Sequence, residues 1–279
     1  MKVYISVDME GIAGIVHADQ VRSDGQDYQR ARELMSEETN AAALGAFDAG
    51  AKEVLINDSH GDMRNLLFDH LDPRVQIITG SLKPFSMAQG TERRYDVALF
   101  VGYHAGMGAR AGILDHTYSS ATVSEVRVND RVLNETGLNA LVCGSYDTPV
   151  GLVTGDERCC EEAKELLGEV ETAVVKWAIS RTCARSLHPK EACQVIRQAA
   201  KRAAEGRARF RPFRMDPPYR LQMRFLNAGM ADAADVMPGT RRIDGLHVEF
   251  PTPSVHDLFR AMLAMSRLSD AGIPTVRPK

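Results

Sequence analysis

No stretch of this sequence approaches the ~18 consecutive apolar residues of a membrane-spanning helix. The chain opens directly on a strand-like run, without a basic–apolar leader, so cytoplasmic residence and no membrane partner are expected. Cysteine is sparse. Cys143, Cys159, Cys160, Cys183 and Cys193 are odd in number and include no CxxC pair, which argues against a disulfide framework or a cysteine-based zinc knuckle. Charge of neither sign dominates: 34 Lys and Arg face 37 Asp and Glu, so no global field attracts nucleic acid. The basic cluster at 197–214 is expected to be a solvated helix face and loop. The glycines after the first strand, GIAGIV, lack the GxGxxG spacing and follow an acidic pair that would repel a pyrophosphate. No serine stands in a G-x-S-x-G elbow, and Cys143, in an apolar helical stretch, reads as core packing.

The β-rich run at 2–7 discharges into Asp8 and Glu10. A second apolar run at 53–57 is followed by Asp58, Ser59, His60 and Asp62, and a third at 96–101 by Gly102, Tyr103 and His104. Each run thus has metal-capable side chains just past its C-terminal end, where ligands bind in open α/β sheets. Residues two apart in extended chain point the same way, so Asp8 and Glu10 can converge, and converging carboxylates repel unless a proton or cation lies between them. A polar turn with Asp8 as a cap is the competing reading of this pair.

Between the apolar runs, the 3.6-residue period predicts helices at 27–49, 64–71, 136–145, 157–167, 190–205, 232–236 and 254–268. Further strands are predicted at 75–79, 123–128, 131–133, 150–154, 172–176, 219–226 and 246–250. The alternation implies an α/β fold, a mostly parallel sheet flanked by helices, with a smaller C-terminal α+β portion. The expected division is 1–190 for the metal-binding catalytic domain and 191–279 for the smaller portion.

Asp8, Glu10, His60, His104 and Glu135 form an oxygen–imidazole set suited to zinc, and also to manganese, iron or cobalt. Five ligands exceed the three usual at one catalytic zinc and suit two ions sharing a carboxylate, for which Asp8 is the best placed. Taken singly, a histidine in a loop is more often a hydrogen-bonded surface or cleft residue, a reading that His60 and His104 escape in part because both follow strand ends. Glu135 reads as a carboxylate stabilised by a helix N-terminus.

Several spaced strings fall in a consistent order: SVDMEGIAG at 6–14, NDSHG at 57–61, KPFSM at 83–87, GYHA at 102–105, ETGLNA at 135–140, GDERCCEEA at 155–163 and MPGT at 237–240. Together they resemble the D-aminopeptidase family of dipeptide-transport operons, a group of zinc metallopeptidases. The resemblance implies two zinc ions held by Asp8, Glu10, His60, His104 and Glu135, with Asp8 bridging. It implies a catalytic role for His116 in LDHTYS, with orientation of a ligand as the alternative. It further implies a ring-stacked homodecamer that releases N-terminal D-amino acids such as D-alanine from short peptides. The chain departs from the family pattern at 107–112 and 119–126, near the expected substrate cleft, so the D preference rests most heavily on the resemblance. An amidase or aminopeptidase of L or other specificity, and a non-catalytic metal-stabilised binding protein, are the alternatives.

Overall fold

The computed structural model describes residues 1–275. Its elements in chain order are β1 (Lys2–Val7), α1 (Ala18–Val21), α2 (Tyr28–Asp48), β2 (Glu53–Asp58), β3 (Gln76–Ile78), β4 (Val97–Tyr103), β5 (Val123–Val128), β6 (Arg131–Val132) and α3 (Glu135–Ser145). They continue with β7 (Val150–Asp156), α4 (Glu157–Leu167), β8 (Glu171–Ser180), β9 (Cys183–Ser186), α5 (Pro189–Glu205), β10 (Tyr219–Phe225), α6 (Ala228–Ala234), β11 (Arg241–Arg242), β12 (His247–Thr252) and α7 (Val255–Ser269).

The chain forms two compact units. The first comprises Met1–Ala105, Ala109–Leu114 and Asn139–Phe213; the second comprises Gly106–Gly108, Asp115–Leu138 and the described residues from Arg214 onward. This partition differs from a single cut at 190/191, for two physical reasons. The alanine-rich face of α5 (Ala192, Ile196, Ala199, Ala200, Ala203) is buried in the same core cluster as α2, which draws that helix into the first unit. The β5–β6 hairpin pairs with β10, which draws 115–138 into the second.

The first unit is built on a seven-stranded sheet in the order β3-β2-β1-β4-β7-β8-β9, parallel except for β9. Strands β4 and β7 are buried along their whole length, as expected of parallel strands covered on both faces. Helices α2, α4 and α5 pack on the sheet. Gly45 lets α2 and α5 approach closely, since a Cβ there would lie 2.3 Å from the Arg197 carbonyl oxygen. The basic cluster at 197–214 is neutralised in part within the fold: Arg197 pairs with Asp48, and Arg202 and Arg209 pair with Glu171.

After β1 the sheet grows through β2 to β3, and the chain then returns to lay β4 on the other side of β1. The strand order therefore reverses at the β1/β4 boundary, the topological switch point where open α/β sheets leave a crevice beyond the strand ends. Register brings the end of β1 level with the end of β2, while β4 runs on past it to Tyr103. Val7 pairs with Asp58 on one side and with Val101 on the other.

The second unit is an antiparallel sheet in the order β11-β12-β10-β5-β6 with α6 and α7 packed on it. Along β10 the side chains of Tyr219, Leu221, Met223 and Phe225 are buried while Arg220 and Arg224 are exposed, the alternation of a sheet with one wet face. Among the described residues no helix is long and apolar enough to cross a membrane.

The structure corrects two predicted helices. Residues 64–71 contain only a short 3-10 turn at Phe68–His70, because the buried Asp58 carboxylate accepts the backbone amides of Asn65 and Leu66 and holds that stretch out of a helix. The helix predicted at 232–236 lies instead at Ala228–Ala234, started by Asn227, whose side chain accepts from the Met230 amide.

Candidate metal centre

Asp8 and Glu10 follow β1, His60 follows β2 and His104 follows β4, so three adjacent strand ends deliver four of the expected donors within the first unit. All four are buried. His60 Nδ1 lies 3.2 Å from Asp8 Oδ1 and 3.0 Å from Glu10 Oε2, and His104 Nε2 lies 3.3 Å from Asp8 Oδ2. Tetrahedral ligation at bond lengths of about 2.0–2.1 Å places neighbouring donor atoms roughly 3.3 Å apart, so this spacing is that of a zinc shell.

The hydrogen bonds of the two imidazoles fix which nitrogen faces the carboxylates. His60 Nε2 is 2.7 Å from the Val21 carbonyl oxygen, and His104 Nδ1 is 2.9 Å from the carbonyl of Ala105. A carbonyl only accepts, so those nitrogens carry N–H, and in the neutral tautomer the lone pairs of His60 Nδ1 and His104 Nε2 point at carboxylate oxygens. Lone pair against carboxylate is repulsive unless a positive charge intervenes. Anchoring the outer N–H on an oxygen is also how proteins orient histidine metal ligands. Asp8 Oδ2, buried, receives no hydrogen bond among the described residues. The same demand for charge acts on His60: burial opposes protonation, yet Glu10 and Asp8 outweigh it and hold the imidazole well above its ordinary pKa. The donor set therefore fits a divalent cation.

The backbone that presents these groups is stitched tightly. The Asp8 amide donates to the Val101 carbonyl, the Gly11 amide to the Gly102 carbonyl and the Ser59 amide to the Val7 carbonyl. A Cβ on Gly11 would lie 1.9 Å from the Tyr103 carbonyl oxygen, with no flexible side chain to give way. Gly11→Ala is expected to cost about 1–3 kcal/mol or more, as overpacking does, and to lower zinc content. Thermal unfolding together with metal analysis checks it.

Glu135 and His116 lie in the second unit. Glu135 opens α3, its Oε1 accepts from the Tyr118 amide at 2.7 Å, and His116 Nε2 stands 3.6 Å from that same oxygen. Glu135 is buried, whereas 15% of the His116 side chain is exposed.

Serine and cysteine are occupied elsewhere. Ser59 Oγ donates to the Asn57 carbonyl and Ser119 Oγ accepts from Thr122, so neither is a nucleophile primed by its neighbouring histidine. Burial pushes the Cys143 thiol far up, which makes it inert. Asp58 spends both oxygens on residues 65 and 66, and Asp62 pairs with Arg64 at the surface, so neither orients His60 through its side chain.

Sequence reasoning missed two buried cations beside the site. Lys176 is fully buried and donates to the carbonyls of Glu10, Ile12 and Ile15. Burial pulls its ammonium down to about 8, against the carboxylates of Asp156, Glu38 and Glu10. Lys83 donates to Asn57 Oδ1 and to the Asp58 carbonyl, and burial likewise brings it to about 8. Lys83 belongs to the KPFSM string, but nothing local distinguishes Lys176 from a solvated strand lysine.

The family model described as D-aminopeptidase matches residues 1–264. This chain belongs to the D-aminopeptidase family. It is 40% identical over 272 residues to the D-aminopeptidase of Bacillus subtilis (strain 168), covering 96% of this chain and 98% of that protein. Among solved structures it is similar to the Zn-dependent D-aminopeptidase DppA from Bacillus subtilis, a self-compartmentalizing protease. The TM-score is 0.94 at 39% identity, and the match covers 97% of this chain and 98% of the other. The four clustered donors lie in the DMEG, NDSH and GYHA strings of this chain.

Proposed function

We propose that the chain is a zinc-dependent aminopeptidase that holds two zinc ions through Asp8, Glu10, His60, His104 and Glu135 and releases N-terminal D-amino acids, D-alanine among them, from short peptides. One observation carries this reading: the two oxygens of Asp8 serve different histidines, Oδ1 facing His60 and Oδ2 facing His104. A carboxylate divided in this way is placed to bridge two cations. The Zn dependence of the similar Bacillus subtilis structure supports zinc as the metal, and its self-compartmentalizing character supports a homodecamer of this chain that admits only short peptides. A cytoplasmic location accords with the absence of a membrane-crossing helix among the described residues.

Zinc, when bound, supplies Lewis acidity and makes water acidic enough to attack an amide near neutral pH. The residues of the chain do the rest. The Val21 and Ala105 carbonyls hold His60 and His104 in their ligating tautomers. The Tyr118 amide fixes the Glu135 carboxylate. His116 donates a hydrogen bond to the developing oxyanion or a proton to the departing amine.

Paired dipeptides with D-alanine or L-alanine at the N-terminus, assayed alongside metal stoichiometry and native mass, test the reading. The expected result is D-selective turnover that chelation abolishes and zinc restores, with about two ions per chain. Selective turnover of the L series would transfer the chain to the alternative aminopeptidase reading. Metal binding without turnover of either series would leave a metal-stabilised binding protein.

A further inference from the structure

Residues 10–15 carry no helix or strand, so their shape is imposed by the groups around them. On one side the Gly11 amide is tied to the Gly102 carbonyl, and on another the Ala13 amide donates to Glu38 Oε1 at 2.8 Å. Gly14 is held as well, its amide donating to Ser186 Oγ at 2.9 Å and its carbonyl accepting from Gln20 Nε2 at 3.0 Å. A further tie is Lys176. Its ammonium reaches the loop from β8 and donates to the carbonyl oxygens of Glu10, Ile12 at 2.9 Å and Ile15 at 2.6 Å. An ammonium has three donors and no acceptor, and here three backbone oxygens take all of them. Carbonyls that converge on one point repel unless a cation sits among them, and a buried ammonium without such partners would be strongly disfavoured. Each therefore requires the other. The arrangement is that of a monovalent-cation site whose ion is covalently attached to the protein.

We propose that Lys176 is a positioning residue of the metal centre, its ammonium serving as a built-in monovalent cation that gathers the Glu10, Ile12 and Ile15 carbonyls and so sets the Glu10 carboxylate for ligation. The proposal rests on the zinc reading above. It extends that reading to a group that touches neither metal nor substrate and acts only through the loop. Lys83 repeats the device on the neighbouring loop, where its ammonium holds the Asp58 carbonyl two residues before His60.

The test uses the full-length protein as Lys176→Met, which keeps bulk and removes charge, and as Lys176→Ala, which opens a space beneath the three carbonyls. Zinc affinity is read by competition with a chromophoric chelator and folding by circular dichroism, both without reference to turnover. Lys176→Met is expected to fold and to bind zinc roughly 10–100-fold more weakly, the range found when partners behind metal ligands are removed. Methylammonium is expected to restore zinc affinity to Lys176→Ala while leaving that of the unmodified protein unchanged, a rescue that loss of packing alone would not show. If Lys176→Ala folds only with methylammonium present, the cation site is supported directly. A chain that stays unfolded with methylammonium and zinc both present overturns the proposal, as does unaltered zinc affinity in folded Lys176→Met. Absence of rescue in a folded Lys176→Ala overturns it too. Failure of the unmodified protein to bind zinc would refute the functional reading, whereas normal binding by both proteins would refute this inference alone.

Discussion

Asp8→Ala is expected to give a folded chain that holds neither zinc ion and shows no measurable peptidase activity. The expectation follows from the way the carboxylate is shared, one oxygen 3.2 Å from His60 and the other 3.3 Å from His104. Removing any other ligand leaves one ion most of its donors, but removing a bridge takes a donor from both. The fold is expected to survive because the backbone contact of the Asp8 side chain is local, Oδ1 accepting the amide of the adjacent Met9. Its Oδ2 makes no hydrogen bond among the described residues, and its charge lies close to that of Glu10. Stabilisation by a ligand that binds only the native state grows as RT ln(1 + [L]/Kd), about 2.7 kcal/mol at a hundredfold excess over Kd. In the unmodified protein that corresponds to a rise in Tm of roughly 5 °C or more on adding zinc. The variant is expected to show none of it. Metal analysis that finds one tightly held ion in Asp8→Ala would remove Asp8 from the bridging position.

His116→Ala is expected to keep its full zinc content and lose ~100-fold or more in kcat, the effect of deleting an oxyanion donor or proton donor. The contrast with the other two site histidines is physical. His60 and His104 are buried with their outer nitrogens on backbone carbonyls, which leaves one nitrogen for a metal and nothing for a substrate. His116 keeps part of its ring in solvent and stands 3.6 Å from Glu135. Single-turnover and steady-state measurements on the zinc-replete variant check this. Unchanged kcat would strike His116 from the proposed catalytic residues, and loss of zinc would make it a partner of the proposed ligand Glu135 instead.

The gathering of residues 8, 10, 60 and 104 was legible because each follows an apolar run, and in an open α/β sheet the strand ends converge on one edge. What the sequence does not contain is the strand order. That β4 returns to the flank of β1 is seen only in the topology, and such a return is where open α/β sheets leave a crevice. Local signals failed where a distant group captured the backbone, as Asp58 does to the amides of Asn65 and Leu66. The short antiparallel strand β9 was missed for a related reason: CARS has no apolar period, and its pairing with β8 supplies the order. Lys176 was illegible in principle. A lysine in VVKWA looks like an outward-facing residue of a half-buried strand, and only the carbonyls gathered from 10–15 explain why it points inward.

The pairing of β1 with β2 and β4 has a consequence for how the site can be altered. Backbone amides and carbonyls set the register, Val7 beside Asp58 and Val101, and the donor side chains take no part in it. Side chains at 8, 60 and 104 are therefore expected to be exchangeable without unstitching the strands that carry them, which makes the socket a scaffold on which other donor sets, and so other cations, can be tried.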